Sequence, residues 1–248
     1  MTSRGSKHGR VLLVGGSEDF VGAPYLAGIA ALRSGAESVV VMAPEKVAWA
    51  MNALSPDLMT RKLRGKYLSR AHERAIMRQT KTADILVLGM GAGLHSKTKE
   101  LMRALIRLPL PKVIDADALK ALRGNEIENA ILTPNQGEWK SLERESDIRA
   151  LLQKGNVIVK KGFPTEIWTR RVHISVKTNK GLRKAGTGDV LAGMCAGFWA
   201  SGLSPLDAAE KACRVGNDIA DILTKKKKGY YFLASDIAKE LSSVSEKI

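Results

Sequence analysis

The sequence has little cysteine, few aromatic residues and no long apolar run. Its 248 residues include two cysteines, Cys195 and Cys213, with no metal-ligand spacing around them. We therefore expect both thiols to be small core residues of a protein in a reducing compartment. No apolar run approaches the roughly 20 residues that a membrane helix requires, and residues 1–8 lack the hydrophobic segment of a signal peptide. These absences predict a cytoplasmic protein that does not contact a membrane.

Acidic residues are also scarce relative to basic ones. There are 40 lysines and arginines against 25 aspartates and glutamates, and the formal net charge is +15. Such an excess is typical of proteins that bind polyanions, including nucleic acid. However, aromatic residues make up only 5% and do not interleave with the cations, so stacking on single strands has little support. We expect small phosphorylated ligands rather than nucleic acid, and a solvated loop at the four lysines 225–228.

Apolar segments that predict strands alternate with segments that predict helices. This alternation favours a mostly parallel sheet covered by helices on both faces. The segment 58–63 predicts an edge strand, and 166–177 predicts an antiparallel edge hairpin. No repeat or linker divides the sequence, so we predict one domain over residues 1–248. The main strands are predicted at 10–16, 38–42, 84–88, 112–114, 130–132 and 156–159.

Unusual residues follow the predicted strands at 15–16, 89–93, 115–117, 133–138 and 160–165. In open parallel sheets, ligands bind at the carboxyl ends of the strands. We therefore expect these loops to meet on one ligand-binding rim.

The segment 184–193 sets a glycine-rich turn directly before a small-residue apolar run that predicts a buried helix. The first amides of a helix have no intrahelical partner and carry partial positive charge. Ala185 to Gly188 therefore predict a phosphate or oxyanion site. Asp189 would stand beside the anion, placed to take a proton from an attacking hydroxyl. The alternative is that Asp189 only caps the helix and the glycines only make a turn.

Taken in order, these pieces resemble the ADP- or ATP-dependent NAD(P)H-hydrate dehydratases of the ribokinase-like superfamily. The resemblance implies a ribokinase-like three-layer α/β/α sandwich with a mostly parallel central sheet and an antiparallel edge hairpin. It also implies an enzyme that phosphorylates the ring hydroxyl of hydrated NAD(P)H, after which phosphate leaves. The matching segments are 15–17, 22–27, 31–36, 89–94, 115–119, 132–138, 159–162 and 186–193.

The resemblance also assigns roles to individual positions. It implies that Asp189 is the catalytic base, that ADP or ATP is the phosphoryl donor, and that Mg²⁺ bridges the donor phosphates. It further implies a homo-oligomer, often a tetramer, and assigns no protein metal ligand. The dinucleotide substrate would meet Ala23, Gly91, Asn135 and Asp189. The donor nucleotide would meet Lys161, Gly162, Phe163, Pro164, Thr165, Ala185, Gly186, Thr187 and Gly188.

The sequence departs from the family pattern at three places, one of which is a later helix, where the family's histidine-glycine pair is replaced by Arg214, Val215, Gly216 and Asn217. Asn135 stands where the family carries a histidine, and an amide cannot titrate near neutral pH. Arg183 and Lys184 stand where the family prefers small or apolar residues; they either grip extra phosphate or are solvated. An alternative function is therefore a small-molecule kinase of the same superfamily, acting on a vitamin precursor or a sugar. A catalytically silent dinucleotide or RNA binder is a third hypothesis.

Three acidic positions on the predicted rim have two interpretations each. Alternation would put Asp115 and Asp117 on one side of an extended chain, where they support Mg²⁺ water ligands or the nucleotide; otherwise they cap a helix. Glu138 either holds a metal-bound water or is a first-turn acid favoured by the helix dipole. Asn135 predicts an Asx turn, with or without a second role facing the ligand. His95, after the 89–93 loop, is a weaker candidate for substrate contact.

Overall fold

The computed structural model describes residues 9–244. Residues 1–8, on which the expectation about a signal peptide rests, lie outside the described residues. Within the described range the chain forms nine strands. They are β1 (Arg10–Val14), β2 (Ser38–Pro44), β3 (Met59–Leu63), β4 (Ile85–Leu88), β5 (Lys112–Ile114), β6 (Ala130–Leu132), β7 (Val157–Lys160), β8 (Thr165–Trp168) and β9 (His173–Val176).

Helices connect and flank these strands. Two short 3₁₀ turns, Arg70–His72 and Lys180–Arg183, accompany them. The helices are α1 (Gly22–Arg33), α2 (Glu45–Leu54), α3 (Glu73–Thr80), α4 (Ser96–Ile106), α5 (Ala116–Ala121), α6 (Gln136–Glu145), α7 (Ile148–Gln153), α8 (Thr187–Ala200), α9 (Pro205–Lys226) and α10 (Ala234–Val244).

The nine described strands form one sheet in the order β3-β2-β1-β4-β5-β6-β7-β8-β9. Strands β1 to β7 are parallel, and β7-β8-β9 pair antiparallel. The predicted edge strand at 58–63 and the predicted edge hairpin at 166–177 are both confirmed. Because β5, β6 and β7 are adjacent and parallel, the loops that follow them emerge at one edge of the sheet.

Helices cover both faces of this sheet. In β1, Val11 and Leu13 face one layer while Leu12 and Val14 face the other, and none of the four is more than 1% exposed. The first layer contains α1, α2, α8, α9 and α10, and the second contains α3 to α7. A strand buried on both faces requires the continuous apolar runs seen in the sequence. The three-layer α/β/α prediction is confirmed.

Helices α1 and α8 touch backbone to backbone. A Cβ atom on Gly193 would lie 2.2 Å from the carbonyl oxygen of Ala27, and one on Gly197 would lie 2.3 Å from that of Ala31. Both contacts advance by one turn in the same direction, so the two helices run parallel. The same register, extended one turn toward the N-termini, puts Asp189 level with Ala23.

The structure agrees with several local predictions and differs from the one for lysines 225–228. Gly35 follows α1 with φ +105°, as expected of a residue just past a helix end. Cys195 and Cys213 are buried free thiols, as predicted. The lysines 225–228 are only partly a loop: the first two belong to α9, and Lys226 and Lys227 pair with Glu240 and Asp236. Among the described residues, no helix combines the length and apolar character needed to cross a membrane.

Candidate active site

A cleft of about 930 Å³ opens where the loops after β5, β6 and β7 meet the N-terminus of α8. Three of the five loops predicted to meet on one rim, 115–117, 133–138 and 160–165, contribute residues to the cleft lining, whereas 15–16 and 89–93 do not. Ala23 and Gly91 are not among the residues that line the cleft. The predicted positions that do line it are Asn135, Lys161, Gly162, Phe163, Pro164, Thr165, Ala185, Gly186, Thr187, Gly188 and Asp189.

The turn before α8 presents free amides to this cleft. Gly186 has φ +86°, a conformation that favours glycine. The hydroxyl of Thr187 donates to the carbonyl oxygens of Leu182 (2.6 Å) and Lys184 (2.8 Å), which fixes the turn. In residues 9–244, the amides of Ala185, Gly186, Gly188 and Asp189 donate no backbone hydrogen bond, whereas that of Thr187 reaches Lys184 O at 3.3 Å. Free amides at the start of a 14-residue helix are suited to an anion.

A buried ion pair stands beside this turn. Lys161 Nζ lies 2.8 Å from Asp115 Oδ1 and 4.0 Å from Glu138 Oε2. Burial opposes the charge on Lys161, but the Asp115 and Glu138 carboxylates outweigh it and raise the lysine's pKa. A Cβ on Gly188 would come within 3.1 Å of Lys161 Nζ. The ammonium group is therefore held against the first turn of α8 by the carboxylates of Asp115, which follows β5, and Glu138, in the first turn of α6.

Asp189 lies in the first turn of α8 and its side chain is half-buried. Within the described part of the chain, its carboxylate accepts no hydrogen bond and forms no ion pair. Burial raises the pKa of Asp189 to about 7; the nearby Asp115 carboxylate adds to this rise, and Lys161 opposes it. A carboxyl group with this pKa exchanges its proton near neutral pH, as a general base must.

Asn135 and Glu138 form a reciprocal cap at the start of α6. Asn135 Oδ1 accepts from the amides of Gly137 (2.9 Å) and Glu138 (3.0 Å), and Glu138 Oε2 accepts from the Asn135 amide (2.9 Å). The predicted Asx turn is thus present. The side-chain nitrogen of Asn135 has no partner among the described residues, so it is available to a ligand. Burial is the main cause that raises the pKa of Glu138.

Ala23 and Gly91 lie next to each other, outside the lining of the cleft. Gly91 has φ +61°, and a Cβ placed on it would lie 3.1 Å from Ala23 Cβ and 2.7 Å from Phe20 Cβ. The α1–α8 register brings Ala23 level with Asp189. Ala23 and Gly91 are therefore placed near the first turn of α8 by the helix register, whereas the other predicted site residues line the cleft.

Asp115 and Asp117 do not share partners, contrary to the expectation of one common side. The chain turns into α5 at Ala116, whose φ is +50°, so the extended alternation ends there. Asp115 pairs with Lys161 and makes no side-chain cap. Asp117 instead accepts from the Gly93 amide (2.9 Å) and Lys120 Nζ (3.0 Å), which anchors the 89–93 loop.

Two other candidates have structural partners. His95 caps α4 through its Nδ1 and stacks on Tyr67, with ring centroids 3.9 Å apart. Lys184 donates to the carbonyl oxygens of Phe232 (2.7 Å) and Tyr230, so it holds the α9–α10 connection.

The sequence analysis noted residues 214–217 only as a departure from the family pattern and did not place this part of α9 in the cleft wall. Asn217 lines the cleft, and its Oδ1 accepts the Asn179 amide at 2.5 Å. Cys213 and Gly216 line the same wall. Their spacing is that of an ordinary buried helix face, and only the packing of α9 under the cleft distinguishes them.

Comparison with known proteins agrees with this geometry. The sequence model described as NAD(P)H-hydrate dehydratase matches residues 11–243. The chain belongs to the NAD(P)H-hydrate dehydratase family. The predicted family is thereby confirmed.

Relatives and solved structures extend this result. The chain is 36% identical to a bifunctional NAD(P)H-hydrate repair enzyme of Pyrobaculum aerophilum over 98% of its own length and 51% of the relative's. It therefore spans about half the length of the first curated relatives it matches. It is 34% identical to an ADP-dependent (S)-NAD(P)H-hydrate dehydratase of Cenarchaeum symbiosum, covering 98% of this chain and 90% of the relative.

Two solved structures share the fold. An ADP/ATP-dependent NAD(P)H-hydrate dehydratase from Bacillus subtilis, co-crystallised with ATP/Mg²⁺, is 25% identical with a TM-score of 0.78, over 100% of this chain and 93% of that one. A ribokinase-like superfamily protein from Enterococcus faecalis V583 is 25% identical with a TM-score of 0.83, over 100% and 90%. The predicted ribokinase-like fold is confirmed.

Proposed function

We propose that this chain dehydrates hydrated NAD(P)H with ADP or ATP as phosphoryl donor. The ring hydroxyl oxygen attacks the terminal phosphorus, an O–P bond forms, and the shortened nucleotide leaves. The C–O bond then breaks with loss of phosphate, and a proton leaves the neighbouring ring carbon, so that the double bond returns. The names of the family and of the full-length relative from Cenarchaeum symbiosum support this reaction.

One observation carries the proposal: the Asp189 carboxylate, which has no partner among the described residues, stands beside amides that are likewise unpaired within residues 9–244. We assign Asp189 as the base that takes the proton of the ring hydroxyl, because its pKa of about 7 lets it accept a proton near neutral pH. The free amides of Ala185, Gly186 and Gly188 would hold the transferring phosphoryl group. Fixed donors of this kind need no reorganisation during the reaction. The catalysis is therefore positioning plus electrostatic stabilisation.

The remaining predicted residues have proposed positions around this centre. Ala23, Gly91 and the free side-chain nitrogen of Asn135 would contact the dinucleotide, since small residues let a flat ligand approach closely. The segment Lys161 to Thr165 would hold the donor on the cleft side. Lys161 adds a positive charge next to Gly188, where a phosphate bound to the turn would lie.

Magnesium fits this site as an ion that is bound mainly through the phosphates of the nucleotide. In residues 9–244, no group of three or more histidine, cysteine or acidic side chains could hold a metal ion by itself. Mg²⁺ usually keeps several waters and binds through substrate phosphates plus one or two carboxylates. Asp115 and Glu138 line the cleft and would accept hydrogen bonds from its water ligands. When bound, the ion neutralises charge on the donor phosphates.

The decisive experiment is to incubate the protein with hydrated NADPH and either ADP or ATP, and to follow the return of the reduced-nicotinamide absorbance. We expect recovery that depends on the added nucleotide. A kinase would instead consume nucleotide and leave a stable phosphorylated product without that recovery. Turnover of a vitamin precursor or a sugar alongside an unchanged hydrated dinucleotide would contradict the proposal.

Family resemblance also leads us to propose a homo-oligomer, with a tetramer favoured. Light scattering on the purified protein should give about four times the monomer mass of 26.9 kDa. A monomeric mass at micromolar concentration would refute this.

A further inference from the structure

Four cations line the cleft, and three of them have partners in the protein. Lys160 Nζ lies 3.1 Å from Glu166 Oε2, and Lys161 Nζ lies 2.8 Å from Asp115 Oδ1. Lys184 donates to two backbone carbonyl oxygens. The guanidinium of Arg183, by contrast, forms no hydrogen bond or ion pair within the described range. Among the four cleft cations, Arg183 is therefore the one whose N–H groups, within residues 9–244, are available to bind a ligand.

An aromatic ring holds this guanidinium in place. Arg183 Cζ lies 4.9 Å from the centroid of the Phe163 ring. The two side chains come from different segments: Phe163 follows β7, and Arg183 ends the 3₁₀ turn before the free amides of α8. Phe163 is 46% exposed, so its ring is accessible to the guanidinium. Stacking on a ring occupies the face of a guanidinium and leaves its N–H edge free to donate.

We propose that Arg183 binds a phosphate of the donor nucleotide and that Phe163 positions its guanidinium for that contact. The planar fork of an arginine matches two phosphate oxygens, which a single ammonium cannot do. Arg183 precedes the free amides of the α8 turn by two to six residues, so both groups would act on one phosphate chain. The inference rests on the proposed nucleotide dependence and adds a specific phosphate contact to it.

Calorimetric titration of the intact chain with ADP and with adenosine tests the phosphate contact directly. Arg183→Gln should weaken ADP binding about tenfold, the scale of one charge-assisted hydrogen-bonded contact near a surface. Adenosine binding should not change, because adenosine has no phosphate. Arg170→Gln is the matched control: it removes the same charge from an exposed position on the β8–β9 turn, outside the cleft. It should leave ADP binding unchanged.

The role of Phe163 is tested by a double-mutant cycle. Phe163→Leu should weaken ADP binding in the wild-type background and add little in the Arg183→Gln background, because its effect acts through the guanidinium. Full additivity would show that the ring contacts the nucleotide itself and would overturn the positioning role.

Three results would overturn the phosphate contact: unchanged ADP affinity in Arg183→Gln, equal losses for ADP and adenosine, or no ADP binding by the wild type. These titrations contain no hydrated dinucleotide. If the wild type binds ADP through Arg183 yet never restores hydrated NADPH, the inference stands and the proposed dehydration fails.

Discussion

Removing the charge of Asp189 should inactivate the protein and stabilise it at the same time. Asp189→Asn keeps the size of the side chain but removes the carboxylate that we assign as the base. Loss of a general base lowers turnover by a factor of at least about 100, while nucleotide binding should persist. The charged carboxylate is also unfavourable in the folded state, since burial raises its pKa.

The stability gain can be worked from the pKa. Raising it from 3.8 to about 7 corresponds to about 4 kcal/mol at 1.36 kcal/mol per pKa unit. The cleft is open to water, which screens part of this, so we expect a gain of about 2 kcal/mol at pH 8. For a chain of this size that raises Tm by roughly 4–8 °C.

Because the pKa of Asp189 is raised in the folded protein, the stability of the wild type depends on pH. Between pH 4 and 7 the folded protein retains a proton on Asp189 that the unfolded chain has already lost, so wild-type stability falls as pH rises. The Tm difference between Asp189→Asn and wild type should therefore be larger at pH 8 than at pH 5. In the wild type, kcat/KM should rise through about pH 7 as the base loses its proton.

Asp117→Asn is the matched control for these measurements. Its carboxylate accepts from Gly93 and Lys120, so the same exchange removes an ion pair and should destabilise the fold. Wild-type turnover in Asp189→Asn would remove this residue from the mechanism. A Tm at pH 8 that is equal to or below that of the wild type would refute the electrostatic argument.

Three further predictions concern the surroundings of Asp189. Lys161→Met leaves Asp115, which is 2% exposed, without its partner; we expect about 3 kcal/mol less stability in urea unfolding. The substitution also removes a cation that lowers the pKa of Asp189, so the rise of kcat/KM with pH should move above pH 7. An unchanged pH profile would contradict this electrostatic effect of Lys161 on Asp189. Asn135→Ala removes the α6 cap and should cost about 1 kcal/mol, whereas Asn135→His should preserve or improve activity on hydrated NADPH if the asparagine is only a family variant. Gly193→Ala puts a methyl 2.2 Å from a carbonyl oxygen of α1 and should cost at least about 2 kcal/mol in thermal unfolding. Gly22→Ala, with nothing within 4 Å, should leave Tm within about 2 °C of the wild type.

The order of strands and helices could be predicted because the central strands, such as β1 and β4, are buried on both faces and are apolar runs in the sequence. Small residues after such runs identified the rim, and the glycine turn before an apolar helix identified the start of α8. The short helix α7 was not predicted, and α5 was predicted only as one of two interpretations of Asp115 and Asp117. Each contains six residues, too few for a clear helical period.

Contacts between side chains that lie far apart in the sequence could not be predicted. Asp115 and Lys161 are 46 positions apart, and no local pattern joins them. The sequence likewise left two roles open for Asn135. The structure shows that Oδ1 of its amide caps α6, while the side-chain nitrogen has no partner within residues 9–244, so the ligand-facing role stays a prediction. The roles of Ala23, Gly91 and the cleft residues stay predictions until ligand binding is measured.

The glycine contacts between α1 and α8 have a consequence for how this centre tolerates change. Main-chain atoms, rather than side-chain rotamers, set the spacing between the two helices, so a change in the position of Asp189 relative to Ala23 would require one whole helix to shift. A new ligand preference would therefore arise in the surrounding loops, while the helix pair keeps the same geometry.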